Sequence, residues 1–202
     1  MKVVESYMRF NLEDDYSFRI EQARERIDAQ YVMVCECVVL KEERLCLIEA
    51  KSSSPFPGNK ENFDNFIGEV VQKFEDSILL YNAMKMKRHG QAASSGIPLS
   101  LVTAGDDIRY VLYLIIYGHK IEWIPPIQDE LRDKLRHVLR AWNIKDLDVK
   151  VVNHQTALEL GLIEKFFPIE ELEKLRGKSP EEKQLVAENW LLMRREEQAS
   201  VR

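Results

Sequence analysis

The clearest pattern along the chain is a pair of apolar segments followed by a long amphipathic one. Residues 31–40 (YVMVCECVVL) and 44–52 (RLCLIEAKS) have the length and β-branched content of strands, and the polar KEER between them predicts a tight turn. Apolar residues then recur at three- and four-residue steps from Glu61 to about Arg88, which predicts a helix. The first predicted unit is therefore strand, turn, strand and helix.

The second half of the chain alternates between strand and helix patterns. The segment 108–118 (IRYVLYLIIYG) is apolar on both faces, which is typical of a central strand. Ser179, with Pro180 after it and Glu182 three residues on, predicts a capped helix start. The other predicted elements are a strand or strand-to-helix segment within 14–30, a strand at 99–104 (LSLVTA), a helix from Pro125 to about Trp142, a strand in DVKVV (148–152) and a short helix over 156–162.

This order of elements predicts an α/β fold with a mixed central β-sheet flanked by helices. A chain of 202 residues has room for one domain with an appendage. We expect an α/β domain over residues 1–165 and a C-terminal helical appendage over residues 166–202.

Composition narrows the class of protein. The formal net charge of −5 argues against nucleic-acid binding over the whole surface, although it leaves room for a local basic groove. No apolar run is long enough to cross a bilayer, and MKVVESYMRF has no signal-peptide hydrophobic region. Cys35, Cys37 and Cys46 are odd in number and lie in apolar segments, which predicts buried free thiols. We expect a cytoplasmic or other reducing, nucleic-acid-containing compartment and no membrane partner.

The short turn fixes which residues of the hairpin face each other. A two-residue loop and a four-residue loop give the same register, and side chains alternate between the two faces of a strand. The expected partners are Leu40–Leu45, Val38–Leu47, Glu36–Glu49 and Val34–Lys51. Glu36, Glu49 and Lys51 then lie together at one end of an apolar face.

Two carboxylates side by side in apolar surroundings repel each other unless something compensates. A shared proton, neutralisation by Lys51 or a divalent cation would each suffice. Mg²⁺ or Mn²⁺ would accept oxygen from Glu36, Glu49 and the backbone carbonyl of Ala50, with Lys51 beside the attacking water. The structural alternative is a Glu–Lys–Glu network that only fixes register.

A strand with an acidic residue, a turn, and a strand that ends in E-x-K resembles the PD-(D/E)xK nucleases, which share the restriction-endonuclease-like fold. The residues that carry the resemblance are Glu36 in VCECVVL and Glu49-Ala50-Lys51 in LIEAKSSSP. It implies a restriction-endonuclease-like core with Glu36, Glu49 and Lys51 as catalytic residues, and the two acids as metal ligands. The first acid of that family is usually Asp, often after Pro, whereas here it is Glu36 after Cys35.

The resemblance also implies residues at the edge of the site. Glu21, or alternatively Glu25, would add a metal-ligating acid from the preceding element, and Gln72 and Lys73 would reach the substrate from the helix. Ser52, just after the motif, is a further candidate to donate a hydrogen bond to a phosphate.

The expected function is a metal-dependent nuclease, with DNA as the first-choice substrate, and a homodimer or a protein partner would supply missing contacts. The alternatives are a non-catalytic nuclease-fold binding module and a nuclease subunit whose partner contacts the DNA.

Overall fold

The structure is a computed structural model that describes residues 2–27, 29–90 and 96–193. Its strands are β1 (Lys2–Glu5), β2 (Met8–Asn11), β3 (Ser17–Phe18), β4 (Cys37–Lys41), β5 (Arg44–Lys51), β6 (Arg109–Ile116), β7 (Val149–Asn153) and β8 (Lys165–Phe166). Its α-helices are α1 (Ile20–Arg26), α2 (Lys60–Lys85), α3 (Leu99–Val102), α4 (Ile124–Ala141), α5 (His154–Glu159), α6 (Ile169–Lys174) and α7 (Pro180–Met193).

The central sheet has the strand order β3-β4-β5-β6-β7 and is mixed. β3, β4 and β5 are antiparallel neighbours, whereas β5, β6 and β7 run parallel. One face packs against α1, α2 and α4, and the other face packs against a three-stranded sheet, β1-β2-β8, and α5 and α7. The predicted α/β class with a mixed, helix-flanked sheet is therefore confirmed, while the small second sheet was not predicted.

The predicted hairpin register is confirmed over the β4–β5 ladder. Leu40 pairs with Leu45 and Val38 with Leu47, around a two-residue loop. Alternation divides the hairpin between two apolar layers: Val38, Leu45 and Leu47 face α2, whereas Cys37, Cys46 and Ile48 face the small sheet. The three cysteines are free and buried, as expected.

The first hairpin strand is shorter than the predicted 31–40, so the expected pairing of Val34 with Lys51 is wrong. Helix α2 holds the preceding residues instead. The Met33 N–H donates to Asp76 (2.9 Å), and the Cys35 N–H donates to Ser77 Oγ (2.8 Å). These bonds draw the chain away from β5, and the Cys35 side chain joins the α2 layer instead of the opposite face.

The prediction of a strand at 99–104 is also wrong, because Leu99–Val102 form helix α3. Burial follows the helix: Leu101 is fully buried while Leu99 is exposed. The Tyr81 hydroxyl donates to the Leu101 carbonyl (2.7 Å), a tertiary contact that a short apolar run does not reveal.

The C-terminal elements are joined to the N-terminal hairpin. β8 pairs with β2 across the boundary proposed at residue 165, and Ala187 and Leu191 of α7 belong to the same apolar cluster as β1 and β2. The start of α7 has the predicted capping box, with Ser179 and Glu182 exchanging hydrogen bonds of 2.9 and 3.2 Å. Among the described residues, no helix is both long enough and apolar enough to cross a bilayer.

The hairpin turn carries backbone strain that can be removed. Glu42 and Glu43 have φ of 49° and 58°, the left-handed region that a type I′ turn requires and that Asn-Gly adopts readily. We expect Glu42→Asn/Glu43→Gly to raise the free energy of unfolding by about 1–2 kcal/mol in urea titrations. Glu42→Gln/Glu43→Gln is the control, since it removes the same two charges and keeps the strain. Equal stability of the two double variants would contradict the prediction.

Candidate active site

Two acids from the hairpin meet beside α2. Glu49 is 0% exposed and Glu36, just before β4, is 7% exposed. The Glu36 N–H donates to the Ile48 carbonyl (2.9 Å), and Ile48 is also the ladder partner of Cys37. The predicted direct pairing of Glu36 with Glu49 is therefore not part of the ladder, although both side chains reach the same site. Both carboxylates face Lys73 of α2: its Nζ lies 2.8 Å from Glu49 Oε1 and 3.8 Å from Glu36 Oε1. The hairpin thus brings the two predicted acids to one site.

The third motif residue, Lys51, lies on the solvent side of the pair. Its Nζ is 3.3 Å from Glu49 Oε1 and also contacts the carboxylate of Glu69 on α2. Glu49 Oε1 therefore receives two ammonium groups, both from partly buried lysines. An ammonium so placed can hold a water or offset negative charge that develops at a nearby phosphate.

Burial dominates the electrostatics of the site. Desolvation, followed by repulsion from Glu49 and Glu5, raises the pKa of Glu36 to about 8. Desolvation also raises the pKa of Glu49, in spite of the opposing effect of Lys73 and Lys51. For Lys73, burial lowers the pKa, but the attraction of Glu49 and Glu36 outweighs it and the net shift is upward. Burial and mutual repulsion therefore disfavour the ionised forms of the two acids, and the lysines offset this effect only in part.

One oxygen of the pair lacks a partner. Glu49 Oε2 is buried and accepts no hydrogen bond from the described residues. A buried charged oxygen without a partner costs free energy, which a cation would recover. The Ala50 carbonyl, the predicted backbone ligand, accepts a hydrogen bond from Ser6 Oγ (3.2 Å) and keeps its second lone pair.

The donor set matches a hard cation that keeps most of its own waters. Within the described ranges, no cluster of three or more His, Cys, Asp or Glu side chains has metal-binding geometry. Mg²⁺ commonly binds through one or two carboxylates and retains several waters, so Glu36 and Glu49 are sufficient. A tetrahedral zinc site would need more nitrogen or sulfur ligands than are present here.

The two candidates for a third acid differ in their placement. Glu21 forms an ion pair with Arg19 (2.8 Å), and its charge contributes to the raised pKa of Glu36. Glu21 thus lies on the side of α1 that faces the acids. Glu25 is exposed on the same helix and makes no such contribution.

The remaining candidates for the site, Lys73, Gln72 and Ser52, differ in whether they contact the acid pair. Lys73 contacts both acids, so it lies within the acid pair and not at the substrate-contacting position proposed for it. Gln72 is exposed and donates to Asp76 (2.8 Å), and Ser52 is exposed just beyond β5. Among the described residues, no hydrogen bond joins Gln72 or Ser52 to the acid pair.

Two residues of the hairpin formed by β1 and β2 lie near the site and were not predicted from the sequence. Glu5 ends β1 near Glu21 and Lys73, and burial raises its pKa. Ser6, with φ of 49°, caps the Ala50 carbonyl. Met8, Phe10 and Leu12 alternate with polar residues, and this alternation is the signal that could have revealed the second strand of this hairpin.

Searches of family models, of curated proteins and of solved structures found no match to this chain. The function is therefore argued from the geometry of the acid pair.

Removal of Lys73 tests whether the pair needs a cation. We expect Lys73→Met to lower the free energy of unfolding by about 3 kcal/mol at pH 8 in chelator, because it leaves two buried carboxylates facing one another. Added Mg²⁺ should restore most of that loss, measured by urea denaturation. Lys85→Met is a matched control: Lys85 lies on the same helix with the same 16% side-chain exposure, but its acidic partner Asp106 is fully exposed. Equal, metal-independent losses in both variants would contradict the prediction.

Proposed function

We propose that the chain is a metal-dependent phosphodiesterase that hydrolyses nucleic acid, with DNA as the expected substrate and Mg²⁺ or Mn²⁺ as the ion. The main support for the proposal is the burial of Glu49 and the unequal partners of its two oxygens. It is fully buried beside a second acid, has lysines on one oxygen and no partner on the other among the described residues. Most buried polar atoms have a hydrogen-bond partner, and an oxygen left open beside a second acid is available to a cation. Glu164 Oε2 also lacks a partner among the described residues, so the second acid beside Glu49 is the distinguishing feature.

The resemblance to the PD-(D/E)xK nucleases supports the proposal. The acid of the first strand and the E-x-K of the second are brought together at Lys73, and α2 packs on the face of the sheet that carries them. By this resemblance, the mixed sheet with its hairpin corresponds to a restriction-endonuclease-like core.

The roles of the side chains follow from their positions. A divalent ion would supply a Lewis acid and activate water for direct attack on phosphorus. Glu36 and Glu49 would hold it, and the Ala50 carbonyl is one residue away in the chain. Lys51 lies at the solvent side, where it would orient the water and offset charge on the phosphate. Lys73 favours the ionised form of Glu49 through a direct ion pair, against the effect of burial.

A cleavage assay tests the proposal. Plasmid, linear duplex, single-stranded DNA and RNA would each be incubated with the protein in Mg²⁺, in Mn²⁺ and in chelator. We expect cutting of DNA in either metal and none in chelator. Cutting of RNA alone would change the substrate class, and intact substrates under every condition would contradict catalysis by the isolated chain.

The second candidate is a nuclease-fold module without catalysis, or a subunit that needs a partner. The ammonium of Lys73 between the two acids and the net charge of −5 favour it. Melting curves separate these cases. A Mn²⁺-dependent increase of the melting temperature without cutting supports the subunit, while no shift and no cutting supports the module.

A further inference from the structure

A cluster of aromatic side chains lies at the same edge of the sheet as Lys51. Lys51 pairs with Ile116 at the carboxyl ends of the parallel strands β5 and β6, and the loops that follow carry Phe56 and His119. A hydrogen-bond contact between Ser54 Oγ and His119 Nε2 (3.1 Å) joins the two loops. Ligands of open α/β sheets bind in the crevice outside these carboxyl ends.

The aromatic platform is defined here as Phe56, Trp123 and His119. Phe56 is 62% exposed and Trp123 is 36% exposed. Their ring centroids are 5.8 Å apart, and the His119 ring centroid lies 5.4 Å from that of Trp123, both pairs in edge-to-face geometry. Trp123 contacts both other rings; His119 is buried, whereas Phe56 and Trp123 keep ring surface that a ligand can reach.

Local structure holds Phe56 in place. It lies between Pro55 and Pro57, which restrict the backbone, and its carbonyl accepts the Asn59 N–H (2.9 Å). Its ring lies against Gly58, where an added Cβ would be 2.5 Å from Phe56 Cε1. A preorganised, exposed aromatic ring loses little conformational entropy on binding.

A lysine and the start of helix α2 border the platform, together with the acidic residues Glu61, in the first turn of α2, and Glu122, directly before Trp123. Lys120 Nζ lies 6.0 Å from the Trp123 ring centroid. The 26-residue helix α2 begins at Lys60, two residues after Gly58, and its N-cap Asn59 makes no side-chain cap hydrogen bond. A helix N-terminus and a lysine favour phosphate, while aromatic faces favour planar bases.

We propose that the aromatic platform stacks unpaired nucleobases and so directs a single strand, or a frayed strand end, to the acid pair. Bases inside a duplex are already stacked on their neighbours and do not present a free face to a protein ring, whereas unpaired bases do. This inference rests on the proposed function, because it names the substrate class of the same site.

Binding of labelled oligonucleotides in chelator tests the platform without cleavage. The probes are an oligothymidine of about 12 nucleotides, a typical single-strand site size, and a duplex of equal length, followed by fluorescence anisotropy. We expect Phe56→Ala to weaken binding of the single strand about 5- to 150-fold, the equivalent of roughly 1–3 kcal/mol per stacked base. Binding of the duplex should not change.

Two further variants sharpen the result. Gly58→Ala keeps the Phe56 ring but displaces it, and we expect a smaller loss of the same kind. Leu79→Ala, which removes an exposed apolar side chain from α2, is the control and should bind like the wild type. Circular dichroism and melting curves confirm that each variant is folded.

Several outcomes would overturn the platform. In the first, Phe56→Ala binds the single strand with wild-type affinity. In the second, the wild type does not bind the single strand measurably. In the third, Phe56→Ala loses the same factor of affinity for the single strand and for the duplex. The proposed function fails separately. Single-strand binding lost in Phe56→Ala, together with intact substrates in the cleavage assay, retains the platform and removes the nuclease. Cleavage of single-stranded DNA by Phe56→Ala at the wild-type rate, with wild-type affinity for that strand, retains the nuclease and removes the platform.

Discussion

Glu49→Gln and Lys51→Met are each expected to reduce metal-dependent cleavage by at least about 10²–10³-fold, the loss that follows removal of one preorganised charge-stabilising group. The glutamine amide would keep the volume of the Glu49 side chain but not the charge that attracts a divalent ion. Methionine in place of Lys51 would keep the aliphatic stem of the lysine and remove its ammonium. Initial rates of plasmid cleavage in Mg²⁺ and in Mn²⁺ provide the measurement.

The two variants should differ in metal binding. A ligand present at 100 times its Kd stabilises a folded protein by about 2.7 kcal/mol, so a metal site is visible in melting curves. We expect Glu49→Gln to lose the Mn²⁺-dependent stabilisation and Lys51→Met to retain most of it, because Lys51 is not a ligand. This difference separates a loss of the ion from a loss of the positive group.

The control for both is Glu75→Gln, a conservative change on α2 at a residue that pairs with His137 and not with the acids. It should cleave and bind metal like the wild type. A different result would favour the metal-free network: Glu49→Gln more stable than the wild type, with no response of either protein to Mn²⁺. The lysines alone would then neutralise the acids.

The hairpin could be predicted from the sequence because its loop is so short. Once two strands are joined by two residues, the register of the ladder and the alternation of its faces are fixed, which places Glu49 toward α2. Glu36 lies just before the ladder and reaches the same site although its N–H bonds to Ile48 and not to Glu49. The interior strand β6 and helix α2 could also be predicted from the sequence. β6 is a short run that is apolar on both faces, and the apolar residues of α2 recur at three- and four-residue steps. These elements could be predicted because the contacts that define them join residues close in sequence.

Other features depend on contacts between distant segments. The shortening of β4 arises from hydrogen bonds to Asp76 and Ser77, about forty residues away on α2. The same holds for Lys73: the period of α2 places it off the main apolar stripe, but not between two particular carboxylates. Glu5 approaches the acids only because β1 and β2 pack on the sheet, an arrangement stabilised by α7 from the other end of the chain.

Stability should fall as the pH rises, and Glu36 is the main reason. Its pKa is about 8 in the folded protein, against an ordinary value of 4.5, so the folded state binds the proton more tightly than the unfolded state does. Stability from this group is therefore complete below about pH 4.5 and is lost as the pH rises through about 8. Glu49 and Glu5 shift in the same direction and add to the slope.

Glu36→Gln removes the largest part of this titration. At pH values above the folded pKa of Glu36, we expect the variant to be more stable than the wild type by on the order of 5 kcal/mol, since a pKa difference of one corresponds to about 1.4 kcal/mol. Near pH 5 the two proteins should have similar stability. Urea midpoints across the range, with Glu75→Gln as control, measure the difference, and parallel curves for wild type and Glu36→Gln would exclude Glu36 as the titrating group.

A bound divalent ion should reverse the wild-type trend. Carboxylate ligands must be ionised to hold it, so the affinity for Mg²⁺ rises with pH over the same interval in which the metal-free protein loses stability. Saturating Mg²⁺ is therefore expected to flatten the curve of the wild type and to leave that of Glu36→Gln unchanged. That result would give the raised pKa of Glu36 and the open oxygen of Glu49 one explanation: burial disfavours the ionised forms of both acids, and a divalent cation stabilises them.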